Sequence, residues 1–110
     1  GQQHRGVDLK GAIGTPIHAP VDSVVLYAGD NFENKPKYGN VVVIQSPGGI
    51  TTVFAHLDSY SVAEGDKVRE GQEIAQLGNT GASTGPHVHI ETYIDGELVD
   101  PATVWSGLTK

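Results

Sequence analysis

Cysteine and methionine are both absent from this sequence of 110 residues. Without cysteine the chain forms no disulfide framework and offers no thiolate ligand to a metal. A chain that begins with Gly1 and has no methionine has no initiator residue. We therefore expect a matured or excised part of a longer protein, with any signal peptide, anchor or targeting module outside this sequence.

Positive charge and long apolar runs are also scarce. The chain has 7 Lys and Arg against 13 Asp and Glu, for a net charge of -6. Domains that bind nucleic acid are typically basic, so we expect no nucleic-acid partner. The run VVVI at residues 41–44 is far shorter than the roughly 20 apolar residues of a membrane-spanning helix, so we expect no membrane contact from this segment. The length is typical of one domain, which we place over residues 1–110.

Glycine and proline are plentiful, with 15 and 6 residues, and they divide the chain into short segments. The segments rich in β-branched residues predict six strands: Ser23–Ala28, Asn40–Ser46, Ile50–Leu57, Glu73–Leu77, His87–Tyr93 and Glu97–Val99. SPGG and DG, between neighbouring runs, predict hairpin turns. The only predicted helix is one short turn at Pro101–Trp105. We predict an all-β domain, an antiparallel sandwich or partly open barrel of short strands with Gly-rich loops and little or no helix.

Two of the five histidines, His87 and His89, lie one residue apart in STGPHVHIET. In a strand, side chains two residues apart point to the same face, so both histidines share a face with Glu91. Val88 and Ile90 would face the core. Alone, such a pair is more typical of an exposed strand than of a functional site. Glu91 would either hold one of the imidazoles or be solvated.

Two further segments supply side chains of the same chemistry. HRGVD carries His4 and Asp8, and both residue types are ordinary zinc ligands. FAHLD carries His56 at the end of an apolar strand, where a period of two places it on the face of Phe54 and opposite that of Ala55. A catalytic zinc takes three protein ligands and leaves a position for water, and nearby imidazoles can move protons. Four histidines and an aspartate suit such a site.

Several spaced motifs resemble the lysostaphin-type, LytM-like zinc metallopeptidases, which cut peptidoglycan peptides. They are HRGVD, FAHL, GNTGASTGPHVHIE and the closing GELVDP, and their order and spacing are similar along nearly the whole chain. GTPIHAPVDSVV, YGNVVVI and VAEGDKVREGQEIAQLGNTG fit the same family. The resemblance implies a LytM-like all-β fold. Members usually have a strand and an FGxR-like segment before the first histidine, so we expect that first strand to be missing here.

The resemblance also implies a site and an activity. It implies one Zn²⁺ per domain, bound by His4, Asp8 and His89, and catalytic roles for His56 and His87, without deciding which is the base. The implied activity is that of a zinc-dependent endopeptidase, which hydrolyses peptide bonds in peptidoglycan crosslinks or stems through a metal-activated water. The implied location is extracytoplasmic, whether secreted, periplasmic, associated with the cell wall or carried by a phage.

Two other functions remain open at this point. One is a non-catalytic LytM-like regulator or a structural domain of a cell-wall or phage-tail machine, although none of the five site positions is substituted. The other is a carrier module, because VAEGDKVREGQEIAQLG resembles half of a biotinyl- or lipoyl-type domain. A carrier needs an exposed lysine at a hairpin tip, typically beside methionine, and the sequence lacks that arrangement. Other domains of the parent chain are expected partners.

Overall fold

The computed structural model of the chain describes residues 6–101, and nearly all of its regular structure is β-strand. The strands are β1 Val7–Lys10, β2 Pro16–His18, β3 Ser23–Gly29, β4 Asn40–Ser46, β5 Ile50–Leu57, β6 Ser59–Tyr60, β7 Lys67–Val68, β8 Glu73–Gln76, β9 His87–Ile94 and β10 Glu97–Val99. Two short 3₁₀ turns, Phe32–Asn34 and Pro36–Tyr38, lie between β3 and β4. The six predicted strands are confirmed to within one residue. The predicted turn at Pro101–Trp105 lies outside the described residues, apart from Pro101.

The strands form two antiparallel sheets. In the larger sheet the order is β1-β9-β5-β4-β3-β7, with β10 also paired to β9, and in the smaller sheet it is β2-β8-β6. The sheets do not close into a barrel, so the predicted all-β fold is confirmed in its open, sandwich-like form. The four short strands that the sequence did not predict are β1, β2, β6 and β7. Each has at most four residues, which is too short for a pattern of alternation to stand out.

The main core lies between the two sheets. Val42, Ile44, Phe54 and Ile90 from the larger sheet are at most 1% exposed, and Ile74 from β8 is fully buried in the same cluster. Burial of an apolar side chain of this size contributes about 1.5–3 kcal/mol. This core fixes the register of β9, because a slip of one residue would turn Val88 and Ile90 out of the core and His89 into it.

The opposite face of the larger sheet is covered as well. A second cluster joins Val41, Val43, Val53 and Ala55 to four partly buried aromatic residues, Tyr27, Phe32, Tyr38 and Tyr93. Two of these rings come from the segment that connects β3 to β4. The central strands β4 and β5 are therefore buried on both faces. This explains why β4 has a continuous apolar run instead of alternation.

The predicted hairpins are confirmed. Ile94 pairs with Glu97 around Asp95 and Gly96, which have φ values of 50° and 85°. Positive φ at both central residues defines the turn type that suits the twist of a two-residue hairpin. Residues 47–49 connect β4 to β5 by a three-residue loop, with Ser46 opposite Ile50. Within residues 6–101, no helix has the length and apolar character needed to cross a membrane.

Candidate active site

Strand pairing places a carboxylate against an imidazole. Asp8 on β1 lies directly opposite His89 on β9, and cross-strand partners share a face of the sheet. The Oδ1 atom of Asp8 is 2.7 Å from Nδ1 of His89 and 3.7 Å from Nε2 of His87. Asp8 and His89 are 81 positions apart in sequence, and the pairing of β1 with β9 brings them together.

His56 reaches the same group by a break in the strand pattern. Ala55 is opposite His89, so strict alternation would point His56 to the core with Phe54. The backbone of His56 instead has a φ of 63°, in the left-handed region. Its ring centroid lies 4.9 Å from that of His87 and 6.3 Å from that of His89. The sequence-based prediction that His56 shares a face with Phe54 is therefore wrong, because the strand bends at this residue.

These side chains line one open cleft of about 410 Å³. The strands contribute the carboxylates and the imidazoles, and the segments before β4 and β9 contribute the remaining wall, including Lys37. The lining residues are Asp8, Lys37, Tyr38, His56, Ala82, Ser83, Thr84, His87, His89 and Glu91. A concave site with several convergent ionisable groups is a good candidate for an active site.

Hydrogen bonds to carbonyl groups place a proton on Nδ1 of two imidazoles. Nδ1 of His56 is 2.7 Å from the Thr80 carbonyl oxygen, and Nδ1 of His87 is 2.8 Å from that of Gly85. A carbonyl only accepts, so Nδ1 carries a proton in both rings, and Nε2 is the nitrogen with a lone pair when the ring is neutral. Burial lowers the pKa of His56 below its usual 6.5, although the bond to Thr80 opposes this shift. The His56 imidazole is thus neutral and able to accept a proton at neutral pH.

His89 has carboxylates at both ring nitrogens. Its Nε2 is 2.8 Å from Oε2 of Glu91, and its Nδ1 faces Asp8. Glu91 is only 6% exposed, and the hydroxyl of Tyr93 donates to its other oxygen at 2.6 Å. The bond to Glu91 contributes most to raising the pKa of His89 above 6.5, with Asp8 adding to it and burial opposing it. Of the two alternatives for Glu91, the structure shows contact with the imidazole.

The donor atoms fit a zinc ion. An aspartate oxygen and an imidazole nitrogen are both common zinc ligands, and the facing atoms of Asp8 and His89 are close enough to share one ion. Because Glu91 holds Nε2 of His89, the other ring nitrogen is the one that faces Asp8. Among residues 6–101, no group of three such side chains forms a complete metal site. The third predicted ligand, His4, lies outside the described residues.

The structure also reveals contributors that sequence reasoning missed. Thr80 and Gly85 act through backbone carbonyls, for which the sequence carries no signal. Tyr93 could have been found, because the period of two that links His89 to Glu91 continues to it. His18 lies exposed on β2 and does not line the cleft.

Solved structures define the class to which this fold and cleft belong. The catalytic domain of the antimicrobial peptidase lysostaphin from Staphylococcus simulans is similar with a TM-score of 0.85 and 31% identity. That match covers 94% of this chain and 80% of lysostaphin's domain. A zinc-containing peptidase from Vibrio cholerae is similar with a TM-score of 0.80 and 35% identity, over 87% of this chain and 28% of that one. The class is that of the lysostaphin-like peptidases, as the motifs predicted.

The family model for peptidase family M23 matches residues 2–101. The chain therefore belongs to peptidase family M23. The DD-carboxypeptidase/endopeptidase Mpg of Neisseria meningitidis serogroup B is 44% identical over 101 residues, which are 92% of this chain. The peptidoglycan DD-endopeptidase ShyA of Vibrio cholerae is 41% identical over 97 residues, or 88% of this chain. The chain spans about a fifth of the length of these relatives, 22% in both cases.

Proposed function

We propose that this domain is a zinc-dependent endopeptidase that hydrolyses peptide bonds of bacterial peptidoglycan. The observation that carries the proposal is the convergence of Asp8, His56, His87 and His89 in one cleft. Asp8 and His89 have donor atoms that suit zinc. His56 and His87 each engage a backbone carbonyl through Nδ1, which leaves Nε2 as the ring nitrogen that can take up a proton. Membership of a peptidase family and the activity named for the relative ShyA support the same function.

The proposed mechanism divides the site into two parts. When bound by Asp8, His89 and His4, zinc would supply a Lewis acid that polarises the scissile carbonyl and lowers the pKa of a water to about 7. His56 or His87 accepts the proton of the attacking water at Nε2, since Nδ1 of each is engaged with a carbonyl. The imidazole that holds a proton then donates it to the leaving amine. Which ring is the base stays open, because the two lie side by side.

For the substrate, we propose peptide crosslinks between D-amino acids as the first to test. Mpg, at 44% identity, is named a DD-carboxypeptidase/endopeptidase and ShyA, at 41%, a DD-endopeptidase, whereas lysostaphin is 31% identical. Peptidoglycan lies outside the cytoplasmic membrane, so we propose an extracytoplasmic site of action. The net charge of -6 gives no attraction to an anionic wall, and we therefore propose that other domains of the parent chain supply targeting.

Digestion of purified muropeptides tests the function directly. Crosslinked muropeptides from a wall with diaminopimelate crosslinks and from a wall with glycine bridges would be incubated with the zinc-loaded protein. Mass spectrometry of the products identifies the bond that is cut. We expect cleavage of the D-alanyl–diaminopimelate bond and its loss after chelation of zinc. A zinc-loaded protein that leaves both kinds of muropeptide intact would contradict the proposal.

Two groups of variants separate metal binding from proton transfer. Asp8→Ala or His4→Ala should lose zinc and activity together. His56→Ala or His87→Ala should keep zinc and lose activity by about a hundredfold or more, the scale of a general acid–base group. Zinc content by atomic emission and rates on one crosslinked muropeptide provide the measurements. Normal hydrolysis by His87→Ala would show that the assigned role is wrong.

A further inference from the structure

His56 has a backbone conformation that the surrounding structure must hold in place. A φ of 63° at a residue with a side chain costs about 1–2 kcal/mol relative to the right-handed region. Of the four non-glycine residues with positive φ within residues 6–101, only His56 contributes to the cleft; the others are Glu33, Asn34 and Asp95. The position is 9% exposed, so solvent does not explain the bend. Such conformations persist where neighbouring contacts over-determine them.

Thr80 makes those contacts on both sides of the bend. Its carbonyl accepts the bond from Nδ1 of His56 at 2.7 Å, and its hydroxyl donates to the carbonyl of Leu57 at 2.6 Å. The same hydroxyl accepts a bond from the backbone N–H of Asn40 at 3.1 Å. One residue therefore binds the ring of His56 and the carbonyl group of the next residue, Leu57.

Asn40 completes the arrangement from β4. Its side-chain amide donates to the carbonyls of Leu57 and Asp58, both at 3.1 Å. We call Thr80 and Asn40 the brace. Together they bind the chain at His56 and at the two residues after it.

Glycines allow the brace to lie close to the bend. A Cβ atom on Gly78 would be 2.6 Å from Cα of Asp58, and one on Gly39 would be 2.6 Å from the carbonyl carbon of Thr80. A real Cβ atom essentially never comes this close to a non-bonded atom, so the backbones approach more closely than side chains would permit. The loop that carries Thr80 is thus pressed directly against β5 and β4.

We propose that the brace is a positioning device for catalysis: Thr80, supported by Asn40, holds His56 in its left-handed conformation with its Nε2 lone pair available to the reaction. The contribution of His56 to the reaction rests on the proposed function. Thr80 acts through His56 and does not itself need to touch the substrate. A small displacement of a catalytic group can lower the rate by up to about a hundredfold, so loss of the Thr80 hydroxyl should be visible in kcat.

The test compares Thr80→Val with Thr80→Ser. Valine has the shape of threonine without the hydroxyl, and serine keeps the hydroxyl. We expect Thr80→Val to lower kcat about tenfold or more with KM and zinc affinity within twofold of the parent, and Thr80→Ser to restore most of kcat. Thr15→Val is the matched control, because its hydroxyl makes a 2.6 Å bond to the Ala12 carbonyl away from the cleft.

Nitrogen NMR of the imidazoles gives a second readout that requires no substrate. In the parent, His56 should show one tautomer, with the proton on Nδ1; in Thr80→Val, we expect a mixture of tautomers. Asn40→Ala provides an independent variant if Thr80→Val is unfolded by circular dichroism, and it should change kcat and the spectrum in the same direction. A folded Thr80→Val or Asn40→Ala protein with unchanged kcat and an unchanged His56 spectrum would overturn the proposal. If the parent itself cleaves no peptidoglycan, the proposed function fails, and the His56 spectrum still decides the role of the brace.

Discussion

At the scale of single residues, Glu91 is a carboxylate that is almost fully buried beside a proposed metal ligand. Substitution by glutamine keeps the shape and removes the charge that holds Nε2 of His89. We predict that Glu91→Gln weakens zinc binding by about tenfold, because partners that orient a ligand typically contribute ten- to a hundredfold in affinity. Competition with a chromogenic chelator measures the dissociation constant.

The control for this prediction is Glu97→Gln on β10, which removes an exposed carboxylate of the same sheet. Its zinc affinity should equal that of the parent. Equal affinities for Glu91→Gln and Glu97→Gln would mean that Glu91 does not act on the metal through His89.

The two pKa shifts in the cleft predict the behaviour of the protein in acid. In the metal-free protein the pKa of His89 is above 6.5. At pH 6.5 most of the His89 rings therefore carry an extra proton, which zinc must displace in order to bind. Zinc affinity should be fully present above this raised pKa and should fall about tenfold for each pH unit below it. The pKa of His56 is below 6.5, so this ring is still neutral at the pH where zinc loss begins.

Activity at pH 6.5 and below should therefore be restored in part by excess zinc. The measurement is kcat/KM across pH at limiting and at saturating zinc. We expect the acid limb to move to lower pH at saturating zinc. An acid limb that is independent of zinc concentration would show that protonation of a catalytic group, and not metal loss, limits the rate.

At the scale of elements, the loop between β8 and β9 depends on a glycine without space for a side chain. A Cβ atom on Gly81 would lie 2.9 Å from Cα of Gly39 and closer still to the carbonyl oxygen of Lys37. Gly81 and Gly65 both have positive φ, but a Cβ on Gly65 would meet nothing within 4 Å. We predict that Gly65→Ala lowers the free energy of unfolding by about 1–2 kcal/mol. This is the cost of placing a side chain at positive φ, because the added methyl group meets no neighbouring atom.

Gly81→Ala should lower the free energy of unfolding by about 1–3 kcal/mol more than Gly65→Ala does, because its methyl group displaces the backbone of Lys37 and Gly39. Urea denaturation of the two variants measures the difference. Equal losses of stability for the two variants would show that the loop adjusts to the added methyl group without strain.

Strands β9 and β5 show where the alternation pattern in the sequence predicts side-chain direction and where it does not. On β9 the period of two correctly predicted that His87, His89 and Glu91 face one side, because this strand is regular over its length. On β5 the period failed at His56, because the bend there depends on Thr80, which is 24 residues away in sequence. Alternation describes a strand in isolation, and a contact from a distant loop can override it.

At the scale of the whole molecule, a bound zinc ion would join the two ends of the described chain. Ligands on β1 and β9 exist together only in the folded state, so zinc should stabilise that state by mass action. At a free concentration of a thousand times the dissociation constant, the free energy of unfolding should rise by about 4 kcal/mol. Differential scanning calorimetry with and without zinc tests this increase.

Asp8→Asn is the matched control for that measurement, since it preserves the shape and removes the charge of one ligand. Its melting temperature should respond much less to zinc. An equal response of the parent and Asp8→Asn would place the ion elsewhere on the protein.

The all-β fold and the family followed from the sequence because several spaced motifs agree over nearly its full length. The pairing of β1 with β9 did not follow, since four residues give too short a pattern and register is set by packing. The proximity of Asp8 to His89 thus entered only through the resemblance, and the structure supplies its physical basis. The ligand roles of His4, Asp8 and His89 and the catalytic roles of His56 and His87 remain predictions.

The 81-residue separation of Asp8 from His89 also has a consequence for biosynthesis. A nascent polypeptide cannot assemble the cleft until β9 has left the ribosome, after most of the domain has been translated. Premature termination before that point would yield a fragment in which the carboxylate of Asp8 has no imidazole partner from β9.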